Sequence, residues 1–179
     1  MKAILLAAGV GERLRPFTDH HPKCIAQIGG LTLLHRHLDI LSTTPPIDGC
    51  TIVVGYRSEQ LRDDVEAWRA RTGSDFPVTF FVNEAFRRGS ILSLHAAREV
   101  MLADDTIAMD ADVLYDPEVM RRLVDAPDAN CFLIDTEGAE TGEEMMVCIR
   151  DGRALHIDRS RDPSTHGDWD LKGEGVGFF

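Results

Sequence analysis

Four short apolar runs alternate with stretches whose apolar residues recur every three or four positions, and no other feature restricts the fold of this 179-residue chain so tightly. Residues 3–6, 51–54, 78–82 and 106–109 read as strands. Between them Leu31, Leu34, Leu38 and Leu41, then Leu61, Val65 and Trp68, then Leu94, Ala97 and Met101 stripe one helix each. Consecutive parallel strands need a long crossover, normally a helix, so the alternation implies a three-layer α/β architecture around a mostly parallel sheet. Pro45 and Pro46 stop the first helix. Asp116, Pro117 and Glu118 supply a side-chain cap, a proline at the first position and an acid in the first turn of a further helix, expected to end near Asp125.

Antiparallel structure is expected towards the end of the chain. Residues 131–134 read as a strand, and 145–150 and 153–157 flank Asp151-Gly152, the strongest short hairpin signal. The polar, turn-rich stretch 158–173 reads as a long loop or lid, after which 175–179 resumes strand character and stops on Phe178 and Phe179. Residues 1–179 therefore read as a single domain lacking its C-terminal part, the other reading being a free C-terminal edge strand, which would permit pairing into a homo-oligomer. No internal repeat, low-complexity stretch or linker divides it.

Charge narrows the partners. Nineteen basic and thirty acidic side chains leave a net charge of −11 with no basic block, which weighs against an electrostatic grip on nucleic acid or on anionic lipid. Any anionic ligand must be bound locally. A chain of this size buries about 70% of its unfolded surface and needs neither disulfides nor a structural metal. Cys24, Cys50, Cys131 and Cys148 are widely spaced, without zinc-type spacing, and read as isolated reduced thiols. The apolar start is interrupted by Gly9, Glu12 and Arg13 too early for a signal peptide, and no run approaches a membrane span, so a cytoplasmic location without membrane insertion is expected.

The first strand runs directly into Ala7-Ala8-Gly9-Val10-Gly11-Glu12-Arg13. Glycines at the carboxyl end of a first strand let backbone N–H groups approach an anion, although a tight turn alone explains a lone GxG about as well. Leu14 stands where a dinucleotide fingerprint needs its third glycine, strand two ends in Gly55 rather than an acid, and no GxxxxGK run exists, so neither a dehydrogenase nor a P-loop site is indicated. What strengthens the signal is the cationic sequel: Arg13 in the loop, then Pro22-Lys23, with Gly29-Gly30 before helix one. Fixed cations beside a phosphate cradle suit displacement at phosphorus, where charge builds on the non-bridging and leaving oxygens. Taken singly, Arg13 and Lys23 are ordinary surface cations.

The run Leu5 to Thr18 followed by Pro22-Lys23 resembles the signature of the nucleotidyltransferases that make NDP-sugars and CDP-alcohols. Asn83, the stretch 89–94 and Met109-Asp110-Ala111-Asp112 are similar to the bacterial phosphocholine and phosphonoalkyl cytidylyltransferases of that superfamily. The resemblance implies a Rossmann-like sheet of the nucleotide-diphospho-sugar transferase kind. It implies an enzyme that couples CMP from CTP to phosphocholine, 2-aminoethylphosphonate, inositol phosphate or a related acceptor, with release of pyrophosphate and dependence on Mg²⁺. It assigns nucleotide binding to Leu6, Ala7, Ala8, Gly9, Val10, Gly11, Glu12, Arg13, Lys23, Gly89, Ser90 and Asp110, with the Gly9–Gly11 backbone positioning the triphosphate and catalytic roles for Arg13 and Lys23.

Asp110 and Asp112, two apart on an extended chain, point to the same side; Asp112 is the expected metal ligand, and Asp110 contacts nucleotide or acceptor. The strand-end aspartate is also a common cap or turn residue. Gly89-Ser90 reads equally as a reader of the pyrimidine edge and as a helix cap. Gly55 and Tyr56 line the base side or, more blandly, make a turn with a packing tyrosine. Glu174 faces a cationic acceptor or is an exposed edge acid. His35 and His37 read as polar positions on helix one, and no histidine spacing suggests a metal. The second aspartate that this superfamily uses for metal has no counterpart before Phe179. Three other readings remain: a sugar-1-phosphate nucleotidyltransferase using UTP, GTP or dTTP; a glycosyltransferase, whose DxD motif Asp110–Asp112 imitates; and a non-catalytic nucleotide-binding or regulatory domain.

Overall fold

A computed structural model describes residues 1–127, 130–137, 146–158 and 171–175. The chain divides into two compact units, Met1–Asp125 and Ala126–Phe179.

The first unit begins with β1 (Lys2–Ala7), followed by a loop containing three single 3₁₀ turns at Glu12–Leu14, Phe17–Asp19 and Lys23–Ile25. A small hairpin, β2 (Gln27–Ile28) and β3 (Leu31–Thr32), leads into α1 (Leu33–Leu41). Then come β4 (Cys50–Val54), α2 (Ser58–Thr72), β5 (Val78–Val82), the short helices α3 (Ile91–Ala96) and α4 (Arg98–Ala103), β6 (Thr106–Asp110) and α5 (Pro117–Val124). The four long strands form one parallel sheet in the order β5-β4-β1-β6, with Ala3 opposite both Cys50 and Ile107. The sheet grows from β1 to β4 and β5, then restarts on the other side of β1 with β6. The crevice between the carboxyl ends of β1 and β6 is thus a topological switch point, where open α/β sheets bind ligands.

Burial follows from this arrangement. Every residue of β4 is buried, as expected for a strand covered on both faces. Ile4, Val53 and Ala108 form one side of the core with Ala97, joined by the half-buried Leu94 and Val100 of the two short helices. Helices α1 and α2 are tied to each other: Asp39 accepts from Trp68 Nε1 at 2.8 Å and from Arg71 Nη2 at 2.7 and 2.8 Å, and Trp68 is fully buried.

The expected strands of this unit are present, and Asp116 caps α5, its Oδ1 accepting from Glu118 N at 2.8 Å. Three local expectations fail. Leu31 lies in β3, because Gly29 and Gly30, at φ 59° and 83°, turn the chain back on itself, and α1 starts only after Thr32, whose Oγ1 accepts from His35 N at 3.0 Å. The third helix is two helices, since Ala97 leaves helical geometry (φ −92°, ψ 9°) where it packs against the sheet. His35 and His37 are buried rather than solvated, His35 meeting the carbonyl of Asp64 at 2.9 Å.

The second unit is an antiparallel sheet of β7 (Ile134–Asp135), β8 (Met146–Arg150), β9 (Arg153–Asp158) and β10 (Leu171–Gly175), ordered β7-β10-β8-β9. Asp151 (φ 49°) and Gly152 (φ 72°) make the two-residue turn between Arg150 and Arg153, as the Asp-Gly signal requires. The strand expected at 131–134 is only Ile134–Asp135, and the last described strand is Leu171–Gly175, so 171–173 belong to strand and not to a loop. Residues 159–170 of the expected loop and 176–179 of the expected final strand lie outside the described residues. Strand β10 is flanked on both sides, so Glu174, opposite Asp135 and Met146, is not an edge residue. All four cysteines are free thiols. Among the described residues no helix is long and apolar enough to cross a membrane.

Candidate functional site

A cavity of about 370 Å³ opens at the switch point. Its floor is the carboxyl end of β1, Leu6, Ala7, Ala8 and Gly9. One wall is the end of β6, with Asp110, Ala111 and Asp112, joined by Lys23 and Cys24. The other is the segment leading into α3, with Phe86, Arg87, Gly89, Ser90 and Ser93. The backbone bond from Ala111 N to Leu6 O, 3.2 Å, holds the two strand ends in register.

At Gly9 a Cβ would meet nothing within 4 Å, so the backbone there is open to a close-approaching ligand. Gly11 has a different task. At φ 71° it is left-handed, and a Cβ would collide with the Lys23 stem, Cδ lying 2.7 Å away. The loop is folded so that Lys23 passes over Gly11 and reaches Asp112, with which its ammonium is paired. Both partners are half-buried, at 34% and 30% exposure, so the pair remains open to exchange with an incoming anion or cation.

Asp110 is reachable by solvent, yet the cleft around it strips enough water to push its carboxyl up to about 6, the charge of Asp112 adding to the rise and Lys23 opposing it. Cys24 is buried beside Lys23, and burial pushes its thiol up to about 12, so it stays protonated and is no nucleophile. Among the described residues, no third His, Cys, Asp or Glu joins the two aspartates in a metal-holding group.

The cavity thus gathers Leu6, Ala7, Ala8, Gly9, Lys23, Gly89, Ser90, Asp110 and Asp112. Val10, Gly11, Glu12 and Arg13 lie in the adjoining loop, off the cavity wall, with Glu12 and Arg13 exposed in the first 3₁₀ turn. Glu174 belongs to the second unit. Ser90 makes no side-chain cap bond to α3, and Gly89 takes φ 125°. Tyr56 is directed at the loop: its hydroxyl donates to Thr18 O at 2.8 Å. Gly55 makes room for Phe86, whose ring would lie 2.8 Å from a Cβ there.

Sequence reasoning missed Cys24, Phe86 and Arg87, and gave Ser93, within the stretch 89–94, no role of its own. Asn83 was a signal for this wall, since its Oδ1 accepts from Ala85 N at 2.9 Å and its Nδ2 donates to Ser93 Oγ at 3.0 Å. Arg87 Cζ stands 5.4 Å over the Phe86 ring, an aromatic support that no spacing rule reveals.

Comparison with known proteins gives a consistent picture. The family model described as MobA-like NTP transferase domain matches residues 3–162. The "Bifunctional IPC transferase and DIPP synthase" of Rubrobacter xylanophilus is 31% identical over 160 residues, covering 88% of this chain and 35% of that protein. The chain spans less than two thirds of the length of the curated relatives it matches. Among solved structures, the inositol-1-phosphate CTP transferase from T. maritima superposes with a TM-score of 0.71 at 20% identity, over 99% of this chain and 69% of that one. UDP-glucose pyrophosphorylase complexed with UDP-glucose does so at 0.72 and 16%, over 99% and 74%. At these identities the structural likeness shows the fold, that of nucleotide-diphospho-sugar transferases.

Proposed function

Because the chain belongs to the MobA-like NTP transferase domain family, we propose that it is a nucleotidyltransferase that couples CMP from CTP to a small phosphorylated or phosphonate alcohol or amine, with release of pyrophosphate. The observation that carries this reading is the meeting of an open backbone at Gly9, the ammonium of Lys23 and the carboxylates of Asp110 and Asp112 in one cavity at the switch point. The choice of CTP draws on curated relatives such as the CTP:phosphoglutamine cytidylyltransferase of Campylobacter jejuni, 25% identical over 141 residues.

In this reading the N–H groups of Ala7 to Gly9 and the following turn hold the triphosphate, and Arg13 meets the leaving phosphates. An acceptor phosphate or phosphonate oxygen attacks the α-phosphorus in line. The new O–P bond forms as the bond to the β-phosphate oxygen breaks, and pyrophosphate takes the electron pair, so no covalent enzyme intermediate is needed. Lys23 offsets the charge that builds on the α-phosphate. Asp110 orients the acceptor. The donor set fits Mg²⁺, a hard cation that takes one or two carboxylates and completes its shell with water and phosphate oxygens. Asp112, assisted by Asp110, would hold it, and its bound charge would offset that of the acceptor and α-phosphate oxygens.

Phosphorus NMR of the protein with Mg²⁺, each nucleoside triphosphate in turn and a panel of phosphocholine, phosphoethanolamine, 2-aminoethylphosphonate and inositol phosphate tests the proposal. A CDP-linked product with stoichiometric pyrophosphate, formed with CTP alone, is the expected result. The likeness to UDP-glucose pyrophosphorylase favours a second reading, in which product forms from a sugar 1-phosphate with UTP, GTP or dTTP. Tight CTP binding with no pyrophosphate under any acceptor would make the domain a nucleotide sensor.

A further inference from the structure

The segment from Gly9 to Lys23 has neither a β-strand nor an α-helix to satisfy its carbonyls, so those groups must find partners elsewhere. Three consecutive ones find them in the same place. Tyr56 Oη donates to Thr18 O at 2.8 Å and to Asp19 O at 3.0 Å, Arg57 Nη2 donates to Asp19 O at 2.8 Å, and Gln60 Nε2 donates to His20 O at 2.9 Å. These donors come from the junction of β4 and α2, nearly forty residues away in sequence. They are also fixed among themselves. Arg57 Nε donates to the Tyr56 oxygen at 2.8 Å, which commits the tyrosine proton to the loop, and Gln60 Oε1 lies 3.1 Å from His21 Nδ1.

Two further bonds connect this cluster to the cavity. The main-chain N–H of Tyr56 donates to Ala8 O at 3.1 Å, so one residue grips the cradle with its backbone and the loop with its hydroxyl. Thr18, fully buried, donates from Oγ1 to Gly11 O at 2.8 Å, and Gly11 is where the Lys23 stem passes. The run is continuous: Tyr56, Thr18, Gly11, Lys23. Arg57 meanwhile holds φ 51°, a left-handed conformation unfavourable for a residue with a side chain, and in that conformation its guanidinium reaches Asp19 O.

We propose that Tyr56, Arg57 and Gln60 form a latch whose task is to hold residues 11–23 in the shape that receives a triphosphate. They are positioning residues: they act through Gly11 and Lys23 and do not contact the ligand. The proposal rests on the reading of residues 7–23 as a triphosphate site. A loop already ordered before binding pays no ordering cost when the anion arrives, which is where the affinity comes from.

The test uses the full chain carrying Tyr56→Phe with Gln60→Ala, and separately Arg57→Lys, whose ammonium cannot make the Nε and Nη2 bonds together. Amide hydrogen exchange without nucleotide reads the loop, and titration with CTP and with CMP, which lacks the outer two phosphates, reads the consequence. In the double variant, exchange across residues 11–21 rises about tenfold while β1 and β4 keep wild-type protection. CTP affinity falls about five- to tenfold and CMP affinity stays unchanged, and Arg57→Lys, left with at most one of the two guanidinium bonds, moves exchange and CTP affinity the same way by a smaller factor. Unchanged exchange in 11–21 overturns the latch. Raised exchange with CTP and CMP weakened alike, or neither weakened, overturns its link to the triphosphate. A wild-type chain that binds no triphosphate refutes the reading of the site instead, and the exchange data then judge the latch alone.

Discussion

At Gly11 the fold admits no side chain, because a left-handed φ of 71° coincides with the passage of Lys23. Gly11→Ala is therefore expected to cost about 1–3 kcal/mol and to lower the melting temperature by several degrees, with loss of CTP binding as Lys23 is displaced. Lys23→Ala leaves the core untouched; we expect turnover to fall by about 10²–10³ in single-turnover assays, with the melting temperature little changed. Full turnover in a folded Lys23→Ala protein would remove the lysine from the chemistry. His37 makes a prediction about pH. It is 1% exposed, and burial drives its imidazole from 6.5 down to about 4, against the opposing pull of the Val113 main chain and of Asp112. Above 6.5 the ring is neutral in both folded and unfolded chains, and the contribution to stability is complete. As pH falls below that value the unfolded chain takes up a proton that the folded one refuses, so about 2 kcal/mol is lost by pH 5. Denaturant melts of wild type and His37→Phe between pH 7 and 5 check this. The variant is expected to show the shallower decline.

The two helices on one side of the parallel sheet owe their mutual placement to Asp39, which accepts from the buried Trp68 indole and from Arg71. Asp39→Ala leaves that indole N–H without its acceptor and is expected to destabilise the protein by about 1–3 kcal/mol by urea melts, without altering nucleotide affinity. At this scale the sequence was legible wherever a local rule is also the global solution. The Cys50–Val54 run is wholly apolar apart from Thr51, so it reads as a buried strand; Asp116-Pro117-Glu118 writes a helix start; Asp151-Gly152 writes a hairpin turn. It failed where tertiary packing chose between local options. Leu31 fits the helical stripe as well as any leucine, but the glycine pair before it closes a hairpin. Ala97 is a good helix former that the sheet surface forces out of helical geometry. The cavity shows the same division: Gly9, Lys23 and Asp112 lie within recognisable motifs, whereas Phe86 and Arg87 join them only because β5 delivers its following segment to the same crevice.

The whole first unit is organised around a single strand end. Placing β1 between β4 and β6 brings the turn after Ala7, the lysine that crosses it and the β6 aspartates together, with Gly9 open between them. In a chain of net charge −11, a polyanion is held only where backbone N–H groups and a few fixed cations are concentrated. The proposed triphosphate site therefore rests on residues 7–23. The most direct measurement is a crystal structure of the chain with CTP and Mg²⁺. Triphosphate oxygens are expected within hydrogen-bonding distance of the backbone N–H groups after β1 and of the Lys23 ammonium, with the α-phosphate on the Asp112 side. A nucleotide seated with its phosphates directed away from residues 7–23 would contradict the proposed site.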